Sequence, residues 1–208
     1  MNAQPDVPAQ TRLVLSCFGF ALLVAHFAPW AAHHTAALTL SAHDLAVFTN
    51  YTPGAGIFWN EWFLLPLWGA AVALAQGLRR LLGMGLGLFI AALGLPGYPA
   101  ILTAFQDVEH QLRFFASLLT AVLAVIAAWR SLSNPFRAAL ALVMLSGMAA
   151  VPLFGFIAVR PFIRALYGSP VMLGWGWWLT LLAVGSALSY AGVTIVQQLR
   201  QHHNPNST

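Results

Sequence analysis

Apolar residues in this 208-residue chain gather in runs of about 20, the length of helix that crosses a hydrocarbon layer of about 30 Å. The segments between the runs hold nearly all the charged side chains. Only helices and closed barrels satisfy their backbone polar groups inside lipid, and runs of this length read as helices. The pattern predicts spans over 13–33, 58–78, 81–102, 114–129, 138–159 and 171–196. The expected fold is an all-α, polytopic integral membrane protein with six transmembrane helices, five being the alternative count. Residues 13–196 form its single helical domain, and polar tails cover 1–12 and 197–208.

Local signals refine the ends of these runs. Pro96 and Pro99 lack backbone donors and should break the third span near its outer end, and Pro152 should bend the fifth. In the first connection, Ser41 followed by Asp44 has the form of a capping box, with Leu45 and Phe48 on one face. This predicts a short interfacial helix at 42–49, with Asp44 as its cap rather than a catalytic acid. Pro53-Gly54-Ala55-Gly56 should then turn the chain before Trp59-Asn60-Glu61-Trp62 opens the second span. The first run follows Arg12 as a secretory signal would, but it contains His26 and has Pro29-Trp30 where small residues should prepare cleavage. It is expected to remain as a span.

Composition narrows the function classes. With 60% hydrophobic and 7% charged residues, the chain is unlike a soluble enzyme or a disordered tail. Its nine Lys and Arg positions are all arginines, scattered between the apolar runs, so nucleic-acid binding is not expected despite a net charge of +4. Cys17 is the only cysteine, which excludes an intrachain disulfide and a CxxC redox pair.

Arginine also sets the expected orientation. With the N-terminus inside, Arg12, Arg79, Arg80, Arg130, Arg137 and Arg200 are cytoplasmic, and Arg113, Arg160 and Arg164 lie outside. The positive-inside rule then puts both termini in the cytoplasm, in a membrane read as the bacterial cytoplasmic one. Trp30, Trp59 and Trp62 should mark the outer interface and Trp129 the inner one, with Trp175, Trp177 and Trp178 extending the outer belt. No internal repeat supports an inverted-repeat transporter.

This topology collects the candidate chemistry on the outer side: Asp44, Glu61, Asp107 and Glu109, with His33, His34, His43, His110 and three arginines. Glu61 and His110 are the candidates for acid/base catalysis. His33, His34, His43, Glu61 and His110 are the metal-ligand candidates, with Asp107 and Glu109 as further oxygen donors. No HExxH or HxH spacing supports a metal, so no cofactor is favoured. His26 sits inside the first span, but haem would need a second histidine at its depth; a neutral His26 bonded to a neighbouring helix is expected instead.

Arg160 and Arg164 share one helical face if Pro161 starts a short interfacial helix. With Asp107 and Glu109 they are the ligand-binding candidates, able to hold a lipid phosphate or to pair internally with Asp107, Glu109 or Glu61; internal pairing is favoured. Gly83 and Gly87 form a GxxxG pair, and Gly185 with Ser189 a second small pair, both suited to close helix packing or self-association. Asn50-Tyr51-Thr52 and Asn206-Ser207-Thr208 match a glycosylation sequon, a frequent chance pattern. No nucleophile triad or phosphate-binding loop is present.

The leading functional expectation is non-enzymatic binding of a lipid or small amphiphile, or support of a larger membrane assembly, through the outer polar patch. The partners expected are the bilayer itself and a membrane-protein subunit or a second copy. A membrane enzyme with an outer metal or acid/base site is the competing class. A transporter ranks below both, because the spans hold few polar groups near their middle.

Overall fold

A computed structural model describes residues 9–33, 39–49, 59–129 and 134–203. His34, the Pro53-Gly54-Ala55-Gly56 turn, Arg130 and both sequons lie outside the described residues. Helices take up 81% of what is described, so the all-α expectation holds. In chain order they are α1 (Ala9–Phe27), α2 (Ala42–Phe48), α3 (Trp59–Trp62), α4 (Leu65–Gly77), α5 (Arg80–Leu93), α6 (Val108–Trp129), α7 (Pro135–Tyr167) and α8 (Trp175–His203). Strands β1 (Pro29–Ala32), β2 (Leu40–Ser41) and β3 (Met172–Leu173) are short.

Four of these helices, α1, α6, α7 and α8, are long and apolar enough to cross a membrane. The second and third predicted runs give shorter helices, and proline is the physical reason in both. Pro66 in the first turn of α4 cannot donate to the preceding turn, and the second run divides at Phe63–Leu64 into α3 and α4. The third run stops at Gly94, ahead of Pro96 and Pro99, leaving the 14-residue α5.

α4 is the centre of the bundle and packs against α1, α5, α6 and α7. Its small residues Gly69, Ala70, Ala71, Ala73 and Ala75 are buried, as a helix apolar on all sides should be. Gly83 and Gly87 serve this packing. A Cβ on Gly83 would stand 2.8 Å from the Ala75 carbonyl, and one on Gly87 would stand 2.9 Å from the Ala124 Cβ. The GxxxG stripe therefore faces α4 and α6 within the chain, and self-association through it would need a face already covered. Gly185 has no neighbour within 4 Å of its Cβ position. The outward faces of α6, α7 and α8 present Leu119, Phe154 and Leu182, exposed apolar residues suited to lipid.

The chain alternates in direction through the bundle, so the loops after α1, α5 and α7 meet at one end. There β1 pairs antiparallel with β2 and with β3 in the order β2-β1-β3. The Gly174 N–H donates to the Trp30 carbonyl at 2.7 Å and extends this seam. Trp30 itself is fully buried, not interfacial as expected. Its indole N–H reaches the Ala25 carbonyl at 2.8 Å, and its ring packs edge-on against Phe63 and Phe156, which satisfies both its polar and apolar parts in the core. At the opposite end the Arg80 guanidinium lies 3.3 Å over the Trp129 ring.

α7 also corrects an expectation. Pro161 does not start a separate helix: α7 runs on to Tyr167, with buried Val159 and Ile163 holding it to the bundle, and ends at Gly168 in the left-handed conformation (φ 64°).

Candidate functional site

The capping box predicted for the first connection is present. The Ser41 hydroxyl accepts from the Asp44 N–H at 3.1 Å, and the Asp44 carboxylate accepts from the Ser41 N–H at 2.8 Å. It starts α2, whose Ala42, Leu45 and Ala46 enter the core. This packing swings His43 onto the end of α1, where its ring lies 5.6 Å from that of His26, edge to face. His26 is fully buried, and neither ring nitrogen has a hydrogen-bond partner among the described residues. A second imidazole brought from the loop thus stands beside His26, whose ring also has the Phe63 backbone as a polar neighbour. Burial, with help from the positive Arg113, lowers the pKa of His43 below its ordinary value, and Asp44 opposes the shift.

Also against α2 lies a cavity of about 130 Å³, lined by Glu61, Glu109, His110 and Arg113 against the apolar Ala46 and Leu64. The two acid/base candidates, Glu61 and His110, therefore share one site. Glu61 comes from α3 and is only 7% exposed, and its Oε2 has no hydrogen-bond partner among the described residues. Arg113 and His110 attract its charge across the cavity. Arg113 donates from Nε to the Gly94 carbonyl at 2.8 Å, which ties α6 to the end of α5.

Gly94 is required at that point. A Cβ there would stand 2.5 Å from Trp68 Nε1 and 2.8 Å from Ser117 Oγ, two more buried groups without hydrogen-bond partners among the described residues. The sequence analysis counted Arg113 only among the outer arginines and did not single out Trp68 or Ser117. A signal was available: Glu109, Arg113 and Ser117 recur every four residues and occupy one face of α6.

The predicted metal-ligand set is dispersed. His33 hydrogen-bonds Ser169 and stacks edge-on with Tyr167, and His43 lies against His26. His110 is grouped instead with Asp107 and Glu109, and the donor atoms of the three lie within 4.8 Å of one another. Asp107 also caps α6, its Oδ1 accepting from the Glu109 N–H at 3.0 Å.

The arginine pair sits elsewhere at the same end. Arg160 donates from Nε and Nη2 to the Val171 carbonyl at 3.0 and 2.7 Å. Arg160 and Arg164 line a groove of about 360 Å³ with Ile157, Pro161, Pro170 and Val171, and among the described residues no acid takes part in that lining. Among the described residues neither arginine pairs with Asp107, Glu109 or Glu61, contrary to the favoured expectation. Those acids surround the base of α6, where Arg113 attracts Glu61, and Arg160 has a backbone carbonyl as its partner.

Comparison with protein-family models, with curated proteins and with solved structures finds no match for this chain.

Proposed function

We propose that this chain is a non-enzymatic membrane protein that binds an anionic amphiphile, a lipid phosphate in the first instance, in the Arg160–Arg164 groove. One observation carries the reading: two guanidinium groups one turn apart share a groove with four apolar side chains and no acid. Guanidinium groups hold phosphate or carboxylate oxygens by charge-assisted hydrogen bonds. The apolar wall suits the first carbons of an attached chain. Arg160 is already oriented by Val171, so part of the ordering cost is met before the ligand arrives.

The proposal includes six crossings, with α3 and α4 together forming the second and α5 the third, in a bacterial cytoplasmic membrane. The alternation of helix direction and the excess of arginines at the opposite end support both termini being cytoplasmic. The binding end then faces outward.

Native mass spectrometry of the full chain, released from mild detergent after incubation with phosphatidylglycerol, tests the reading. The protein should retain lipid; Arg164→Gln should reduce retention at least five-fold, and Arg160→Gln/Arg164→Gln should abolish it. Arg200→Gln, at the other end, should leave it unchanged. Equal retention by all variants refutes the proposed groove.

A further inference from the structure

We propose a second, independent site at the base of α6: a divalent-cation site of the zinc class, liganded by Asp107, Glu109 and His110, with Glu61 accepting a hydrogen bond from water on the ion. The donor atoms of the three ligands already lie within 4.8 Å of one another. Ligands bound at about 2.0–2.2 Å around a tetrahedral zinc stand about 3–3.5 Å apart, so closing the set takes side-chain rotation alone. Glu109 is exposed and free to make it. Asp107 uses one oxygen to cap α6, which fixes the carboxylate and leaves the other oxygen for the ion.

Glu61 provides the independent observation. A carboxylate 93% removed from solvent, with one oxygen unpartnered, is costly unless something positive or donating completes it. It lines the same cavity as Glu109 and His110. Arg113 has its Nε committed to the Gly94 carbonyl, and among the described residues Glu61 Oε2 has no hydrogen-bond partner. The cavity of about 130 Å³ has room for a few waters at about 30 Å³ each.

Charge points the same way. Glu61, Asp107 and Glu109 stand against the single guanidinium of Arg113, an excess of carboxyl groups that suits a divalent ion. One imidazole with carboxylates suits zinc or manganese; the set has no sulfur for a soft monovalent ion. This site shares no residue with the Arg160–Arg164 groove, so either can fail without the other.

The test uses the full chain in mild detergent, stripped with chelator and titrated with Zn²⁺ under native mass spectrometry. One Zn²⁺ per chain is expected. Glu109→Gln and His110→Ala should each weaken binding at least ten-fold, and Glu61→Gln about ten-fold, as for residues that act through a ligand or its water. His202→Ala/His203→Ala should bind as the parent does, and apo-protein melting should be unchanged in Glu109→Gln. Absence of stoichiometric Zn²⁺, unchanged affinity in both Glu109→Gln and His110→Ala, or loss confined to the His202/His203 variant each overturn the site. If the substituted chains do not fold, Co²⁺ absorption of the parent decides: intense visible bands of a low-coordinate nitrogen–oxygen site support it, and the spectrum of the aqueous ion overturns it.

Discussion

Arg113 and the pair Arg160–Arg164 lie at the same end of the bundle and yet live in opposite surroundings. Arg113 is set among Glu61, Glu109 and His110, with its Nε fixed on the Gly94 carbonyl, in a small enclosed cavity. The pair lines a wider groove without an acid, and Arg164 is exposed. The same side chain is therefore committed to the fold in one place and available to a ligand in the other. What separates them is the company each keeps, since a charge balanced inside the protein has little attraction left for an outside partner.

Substitutions should pull these two regions apart. The largest effect is expected from Arg113→Gln, which removes the charge that attracts Glu61 and perturbs the tie to Gly94. It should destabilise the protein by about 1–3 kcal/mol or more, read from denaturation in detergent. Equal stability of Arg113→Gln and the parent would mean that the cavity is not held together by charge.

Gly94→Ala should cost about 1–3 kcal/mol, because its Cβ must displace Trp68 Nε1 and Ser117 Oγ. Gly147→Ala is the matched control. It has open space at the Cβ position inside α7 and should be neutral or stabilise by up to about 1 kcal/mol. If both substitutions behave alike in thermal melts, the close packing at Gly94 is not a constraint.

A smaller effect concerns His43. Its pKa in the fold lies below the ordinary 6.5, so the unfolded chain takes up a proton first as pH falls. The folded state keeps its full contribution from His43 above about pH 6.5 and loses it progressively below that value. The melting temperature of the parent should drop between pH 7 and pH 5, and His43→Gln should flatten that drop. An identical slope in the variant would assign the pH dependence to other groups.

The smallest stability effect belongs to Arg164→Gln, expected within about 0.5 kcal/mol of the parent. This variant sharpens the contrast, since it should lose lipid retention while keeping its melting temperature.

Much of the architecture was legible because the rules behind it are local. Proline ended the third run where expected, Ser41 and Asp44 formed their cap, and the glycine pair marked a close helix contact. The division of the second run at Phe63–Leu64 was also written in Pro66, though run length alone conceals it. The fate of Trp30 was not legible: its burial depends on Phe63 and Phe156, distant in sequence, and on a carbonyl of the preceding helix, α1. The same holds for His26, whose neighbour arrives only because α2 folds back onto α1. For the site, residue type singled out Glu61 and His110, which line one cavity, while the tie of Arg113 to Gly94, 19 residues away, needed the fold. The Arg160–Arg164 spacing was legible, and the absence of acids from its lining needed the fold.

The seam β2-β1-β3 bears on how the protein is made. β1 leaves the ribosome after the first helix, but its second neighbour, β3, follows only after α7, with α8 alone of the described helices still to come. Until Met172, Leu173 and Gly174 arrive, one edge of β1 stays open and the end that carries both proposed sites is not closed. Assembly of that end is thereby deferred until the last helical pair is in place, so a chain halted before residue 172 would carry most of the bundle with its roof unfinished.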